Sequence, residues 1–278
     1  MVTTPRRTPA AARRRRWAIV LTALVALVTA VAAWQSPAGP VIRVRVLSYN
    51  IHHAEGVDKV LDLERIAHVI SAAQPDLVAL QEVDRRALRS KSIDQPAELG
   101  RLTGLTPVFG PNIPLQDGDY GNAVLSRWPV VGSENHRLPN VDAGEQRGVL
   151  EVHVEAPGTR TSVVLWATHF DHRQNDAERR ASAQAIEARV RQQPDAAALL
   201  VGDLNDVPAS PTLKLLGMMW TRSNTDILPT IPVGKPARQI DYVLFRPNHR
   251  WRAVETRVLD EAVASDHRPL LAVLELVN

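Results

Sequence analysis

An α/β fold is the class this sequence predicts, and three observations predict it. From Val41 onward, period-two or wholly apolar runs alternate with segments whose apolar residues recur at helical spacing. No stretch rich in Pro, Gly and Ser divides the roughly 240 residues that follow, and no short-period repeat runs through them. Five polar clusters fall at the C-terminal ends of strand patterns, where α/β sheets place their sites. The 278 residues, 45% hydrophobic and 23% charged with no cysteine, exclude a disordered, collagen-like or disulfide-stapled chain.

The chain opens on a leader. Residues 1–33 carry Arg6, Arg7 and Arg13 to Arg16 and no acid, and the 17 residues Trp17–Ala33 are uncharged and rich in Ala, Val and Leu. That order is the charged and apolar halves of an export signal, with the arginines left in the cytoplasm. Its length fits a cleaved signal ending near Ala30-Val31-Ala32 and equally a retained membrane anchor. The expected products are a protein secreted after cleavage or one held at the cell membrane with its domain outside. The formal charge is +3, from 33 bases and 30 acids, but without the six leader arginines 27 bases face 30 acids. Residues 34–278 are therefore acidic, at −3, and basicity is no sign of a nucleic-acid partner.

A linker follows over 34–41, with Pro37 and Pro40, and one domain fills 42–278. Val41–Ile51 alternates as a strand; Leu63, Ile66, Ile70 and Ala73 mark a helix that Pro75 stops. Leu77–Leu80 is a short strand delivering Gln81-Glu82. Residues 84–118 read as loop with one short helix near Ala97–Leu102. Asn122–Ser126, Val149–Val154 and Ser162–Thr168 are the next strands. Asn175 and Glu178 have capping-box spacing and open a helix to about Arg191. Ala198–Val201 is a buried strand, Ser210-Pro211 opens a short helix, and Ile240–Phe245 and Leu270–Leu276 close the domain as strands.

The polar clusters are Ser48-Tyr49-Asn50-Ile51-His52, Gln81-Glu82-Val83-Asp84, Thr168-His169-Phe170-Asp171-His172, Gly202-Asp203-Leu204-Asn205-Asp206 and Ser265-Asp266-His267-Arg268-Pro269. Singly, each has a bland reading as a turn or a satisfied core histidine. Asp241 is the least bland, because a carboxylate between Ile240 and Val243 needs a charged or donating partner. Together, Asn50, Glu82 and Asp266 suit a hard, oxygen-preferring ion such as Mg²⁺, with Mn²⁺ the alternative. Without cysteine or an HExxH pair, a structural or protease-type zinc site has little support. With two histidines nearby, and neither a GxSxG elbow nor a P-loop, the residue types favour metal-assisted hydrolysis of a phosphate ester.

Taken in order, these clusters and the block Tyr120-Gly121-Asn122 to Pro129 resemble the endonuclease/exonuclease/phosphatase superfamily, to which deoxyribonuclease I and neutral sphingomyelinases belong. The resemblance spans about residues 42–277 and implies a four-layer sandwich: two mixed β-sheets face to face, helices outside, the site at one edge. It implies Glu82 as the main metal ligand, with Asn50 beside it and Asp266 near the ion. It makes Asp203 the acid/base group, Asn205 an orienting amide, and His169 and His267 the histidines on the phosphate. Asp241 becomes the buried partner of His267, and Asn122 a polar group toward the phosphate. His52, His53, Tyr120, Asp206 and Arg147 are weaker candidates.

The function expected is an extracytoplasmic Mg²⁺-dependent phosphoesterase, with a lipid or small-molecule phosphoester favoured. An extracellular nuclease is the alternative, and a catalytically inactive binding module on the same scaffold is third. Against the nuclease, basic clusters are sparse: Arg85-Arg86-Arg89, Arg179-Arg180 and Arg246/Arg250/Arg252, each read as a solvated face.

Overall fold

Apolar alternation in the strands puts one face of each sheet against the other sheet and the opposite face against helices. The computed structural model describes Met1 and residues 41–141, 143–159 and 161–277. The leader and the linker up to Pro40 lie outside the described residues, and with them the expected signal or anchor. Among the described residues no helix is long and apolar enough to cross a membrane. Val41–Val277 form a compact unit.

The first sheet runs β11 (Trp251–Val258), β12 (Leu270–Leu276), β1 (Ile42–Asn50), β2 (Leu77–Arg85), β4 (Gly118–Ser126), β3 (Thr106–Leu115). The second runs β5 (Val130–Arg137), β6 (Gly148–Glu155), β7 (Ser162–His169), β8 (Ala197–Asp203), β10 (Asp241–Arg246), β9 (Thr221–Arg222). Each sheet has one parallel pair at its centre, β1 with β2 and β7 with β8, flanked on both sides by antiparallel pairs. This is the mixed-sheet, four-layer arrangement that the motif order implies.

Three apolar clusters glue the layers. Val44, Val46, Leu77, Val152, Leu165, Leu199 and Val201 belong to the seam between the sheets. Helices α1 (Leu63–Ala73) and α2 (Gln95–Thr103) close on the outer face of the first sheet through Ile66, Ile70 and Leu99. Helices α3 (Ala177–Val190) and α4 (Pro211–Leu216) cover the second through Ile186, Val190, Leu213 and Leu216. Each such side chain, fully buried, contributes about 1.5–3 kcal/mol. Helix α1 starts as its sequence predicts, with Asp62 accepting the Arg65 N–H at 2.9 Å, and ends at a left-handed Gln74 before Pro75.

Four expectations are corrected. Residues 84–118 are not mostly loop, because β2 continues to Arg85 and β3 occupies Thr106–Leu115. Pro107, Pro111 and Pro114 hid that strand; β3 is an edge, where the missing N–H groups are tolerated. The strands β5, β9 and β11 went unread, since β5 and β11 alternate around largely polar residues at sheet edges. Helix α3 has Asp176, not Asn175, at its N-cap. Glu178 makes no capping box: it is buried, accepting from the Arg173 guanidinium and the Val141 N–H.

Gly202 sets the end of β8. Its φ is 153°, and a Cβ there would stand 1.9 Å from the Thr168 carbonyl oxygen on β7. Gly202→Ala should lower the unfolding free energy by about 3 kcal/mol in urea titration, because the clash is with backbone. Gly132→Ala, where a Cβ meets nothing within 4 Å, should change it by less than about 0.5 kcal/mol.

Candidate active site

The two parallel pairs end at the same place. Asn50 stands opposite Gln81 at the end of β1–β2, and His169 opposite Asp203 at the end of β7–β8. Asp241, the first residue of β10, pairs with Asp203. The Asn50 amide NH₂ joins the sheets, donating to Glu82 Oε1 at 2.9 Å and to Asp203 Oδ2 at 3.3 Å. Its carbonyl oxygen accepts the His52 N–H at 3.1 Å.

Backbone irregularities aim two of the groups. The β2–β4 register shifts between Leu80 and Val83, and within that bulge Glu82 has a φ of 57°. The extra residue turns Glu82 away from the regular alternation of β2. Asn205 has a φ of 50°, and its N–H donates to Asp203 Oδ1 at 2.9 Å. Left-handed residues of this kind cost about 1–3 kcal/mol each and collect at functional sites.

A cavity of about 420 Å³ is lined by Glu82, Asp266, Asp203, Asn205, His169 and His267. Behind it lie Asn50, Asp241 and Asn122, all essentially inaccessible to solvent. The Asn122 NH₂ donates to the Gly148 carbonyl, while its buried Oδ1 has no hydrogen-bond partner. All nine residues singled out for metal, phosphate or catalysis thus gather at this one end of the sandwich.

The two histidines have opposite partners. His267 Nδ1 donates to Asp241 Oδ2 at 3.0 Å, and the Thr230 hydroxyl donates to the same oxygen. Burial alone would lower the His267 pKa, but the Asp241 and Asp203 carboxylates outweigh it and push it up to about 10. His169 Nδ1 instead faces the Arg147 guanidinium, Nη1 at 3.0 Å. A guanidinium can only donate, and on the far side of the ring the Asn205 amide nitrogen, which donates to the Phe170 carbonyl, lies 3.0 Å from His169 Nε2. Burial, then the charges of Arg147, His267 and His172, hold the His169 pKa well below its usual value. One ring is therefore a cation and the other neutral. Both Nε2 atoms face the same oxygen, Asp203 Oδ2, at 3.7 Å for His267 and 3.5 Å for His169. Burial first, and then the Asp241 charge, raise the Asp203 pKa to about 7.

Of the weaker candidates, Arg147 is central to this arrangement; its Nη2 also reaches His172 Nδ1 at 3.3 Å, and Glu145 pairs with its Nη1 at 2.8 Å. Tyr120 and His52 line the cavity, whereas Asp206 is spent on Arg179 and the Val207 N–H. Arg89, His172, Glu145, Ile113 and Leu115 also line it without having been singled out. His172 lay inside a quoted cluster, and Ile113 and Leu115 carry the period-two signal of a strand.

The basic clusters are solvated faces only in part: Arg86, Arg180 and Arg252 are exposed as expected, while other members are committed to acids, rings or carbonyls. Arg89 forms a bidentate pair with the buried Asp84, both bonds 2.8 Å, and lies over the Tyr120 ring. Arg85 pairs with Asp119 and stacks on Phe109. Arg246 is buried and donates to the carbonyls of Val190, Gln193 and Pro194 at the end of α3. Arg179 is buried against Asp206 and the Asp171 and Arg173 carbonyls.

The profile of the Endonuclease/Exonuclease/phosphatase family matches residues 47–267. The chain belongs to that family. A crystal structure of an endonuclease/exonuclease/phosphatase from Beutenbergia cavernae DSM 12333 is 31% identical, with a TM-score of 0.75 over 85% of this chain and 72% of that one. The protein YbhP of Escherichia coli (strain K12) is 27% identical over 256 residues, 84% of this chain and 96% of its own length. A mannosyl-6-phosphatase from Bacteroides thetaiotaomicron VPI-5482 shares the fold at 18% identity and a TM-score of 0.68, covering 83% of this chain and 99% of that one. Family membership makes the chain a metal-dependent phosphoric ester hydrolase of the phosphatase and nuclease class.

In the metal-free protein, the His267 ring should stay protonated through pH 8 in ¹H–¹⁵N spectra, and in Asp241→Asn it should titrate at or below about pH 6.5. Because the folded pKa is raised from 6.5 to about 10, the pair's contribution to stability is complete below pH 6.5. It is lost as pH rises through about 10, so a urea midpoint series should decline over that window. The variant should lack this decline.

Proposed function

We propose that the chain is an exported, Mg²⁺-dependent phosphoesterase that hydrolyses a lipid or other small phosphoester by in-line attack of water. The observation that carries this reading is the Asp203 carboxylate facing the Nε2 atoms of two histidine rings, one cationic and one neutral, in a cavity that also holds two open carboxylates. His267 brings a fixed positive charge to a phosphate oxygen, and His169 stands beside it as a neutral ring. Asp203, with a pKa near 7, is matched to taking a proton from water at neutral pH and returning it to the leaving oxygen. Asn205, held on Asp203 and the Phe170 carbonyl, orients the phosphate or the water.

The donor set fits a hard divalent ion. Among the described residues nothing donates a hydrogen bond to Glu82 Oε2 or Asp266 Oδ2, and both residues open on the cavity. Glu82 and Asp266 would hold the ion. Asn50 would ligate it only by turning its amide, which would cost the His52 N–H its acceptor. Bound there, Mg²⁺ supplies the positive charge that neutralises phosphate oxygens in an otherwise acidic pocket.

The arginine inventory supports a small substrate over a nucleic acid. Tracking a strand needs several free cations, and Arg85, Arg89, Arg179 and Arg246 are committed to acids or carbonyls. Ile113 and Leu115 add an apolar stretch to the lining. The arginine-led leader supports export, with the domain outside the cytoplasm, anchored or secreted.

The test is turnover by the purified chain with Mg²⁺ or EDTA on sphingomyelin, phosphoinositides, sugar phosphates, a generic diester, RNA and plasmid DNA. Hydrolysis should require the metal, be fastest on a lipid or small phosphoester, and fall at least about 10³-fold in kcat in Asp203→Ala. Turnover that survives both EDTA and the substitution sinks the mechanism. Plasmid nicking as the best reaction replaces the substrate reading with the nuclease one.

A further inference from the structure

We propose a second metal position at His52, His53 and Glu82 that takes a first-row transition-metal ion, beside the hard-ion position of Glu82 and Asp266. It rests on the reading of Glu82 as a metal-facing carboxylate. One ring nitrogen from each histidine and one Glu82 oxygen all lie within 4.8 Å of one another. Ligands on one ion sit up to about 4 Å apart, so a small contraction of three side chains would close the set.

The tautomer of His52 is set by its partner. His52 Nδ1 lies 3.0 Å from the Glu55 carbonyl oxygen, which can only accept. Nδ1 therefore donates, and in the neutral tautomer the lone pair is on Nε2. A ligating histidine is commonly oriented by this kind of outer hydrogen bond. His52 also lines the cavity.

His53 is left with an unmet demand. Its Nδ1 is buried with no hydrogen-bond partner, and its Nε2 is 4.0 Å from Glu55 Oε2, beyond hydrogen-bond reach. The ring stands edge-on to His52, centroids 4.6 Å apart. Simple packing would leave the ring nitrogens unsatisfied. An ion from outside the chain would satisfy one of them.

The chemistry of the set decides the class of ion. Two imidazole nitrogens and one carboxylate suit Mn²⁺ to Zn²⁺ better than Mg²⁺, which prefers oxygen donors alone. The backbone serves the same end. His52, His53 and Ala54 all have positive φ, 44°, 44° and 67°, and Glu82 faces them from its own left-handed bulge.

EDTA-stripped full-length protein titrated with Co²⁺ and followed by visible absorption tests the position. Co²⁺ should bind with ligand-field bands, and the paired substitutions His52→Asn and His53→Asn should weaken it at least about 10-fold. Asparagine is chosen because it tolerates left-handed backbone. In the unsubstituted protein, Co²⁺ should also shift the ring resonances of both histidines, a readout that needs no variant. Unchanged Co²⁺ affinity and spectrum in the double variant, or unshifted histidine rings, overturn the proposal. If Mg²⁺-dependent hydrolysis persists while the rings stay unshifted, this inference falls and the phosphoesterase reading stands. If the rings shift but no phosphoester is turned over, the reverse holds.

Discussion

Val44, Val46, Leu77 and Ala79 of one sheet share a dry seam with Val152, Leu165, Leu199 and Val201 of the other, and the register of that seam fixes everything at the site. It stops where β1, β2, β7 and β8 end, so polar groups from both sheets meet where the apolar side chains give out. Asn50 spans the gap, with its amide on carboxylates of each sheet. His267, from the turn before β12, closes it a second time by pairing with Asp241 on β10. Neither sheet alone holds a complete set of groups.

Two buried carboxylates on neighbouring strands, Asp203 and Asp241, are costly unless their charges are answered. The fold answers them with one cation and one proton. His267 supplies the cation, and its charge is shared between both acids. Asp203 takes the proton readily, as its raised pKa records. His169 sits close to the same oxygen yet stays neutral, because burial, and then the arginine that backs its ring in place of a carboxylate, disfavour its charged form. Burial and the choice of partner thus divide two chemically identical side chains into a fixed charge and a neutral ring.

Much of this was legible in the sequence. The strands that hold the site announce themselves by apolar runs ending in polar clusters, as at Leu47 to Asn50 and Leu199 to Asp203. The acid at Asp241 stood out as too polar for its strand and found the partner that such an acid needs. What escaped was whatever depends on pairing across space. Arg89 looked like one of a solvated cluster because nothing in the chain marks Asp84 as buried. Arg147 drew little weight because its role is to face a histidine 22 positions later. The turned backbone at Glu82 was equally silent, since a bulge is a relation between two strands. Strands β5 and β11 stayed hidden because edge strands keep polar residues that blur the alternation.

The three prolines of β3 that disguised it as a loop have a consequence for how the molecule behaves among its own copies. A sheet edge with a full row of N–H groups is a template on which another chain can add a strand. Pro107, Pro111 and Pro114 remove three of those donors from the edge strand that carries Ile113 and Leu115 to the mouth of the cavity. An apolar rim beside an active site would otherwise invite self-association at high local concentration. The same rings that break the row of donors keep that doorway from being stitched shut.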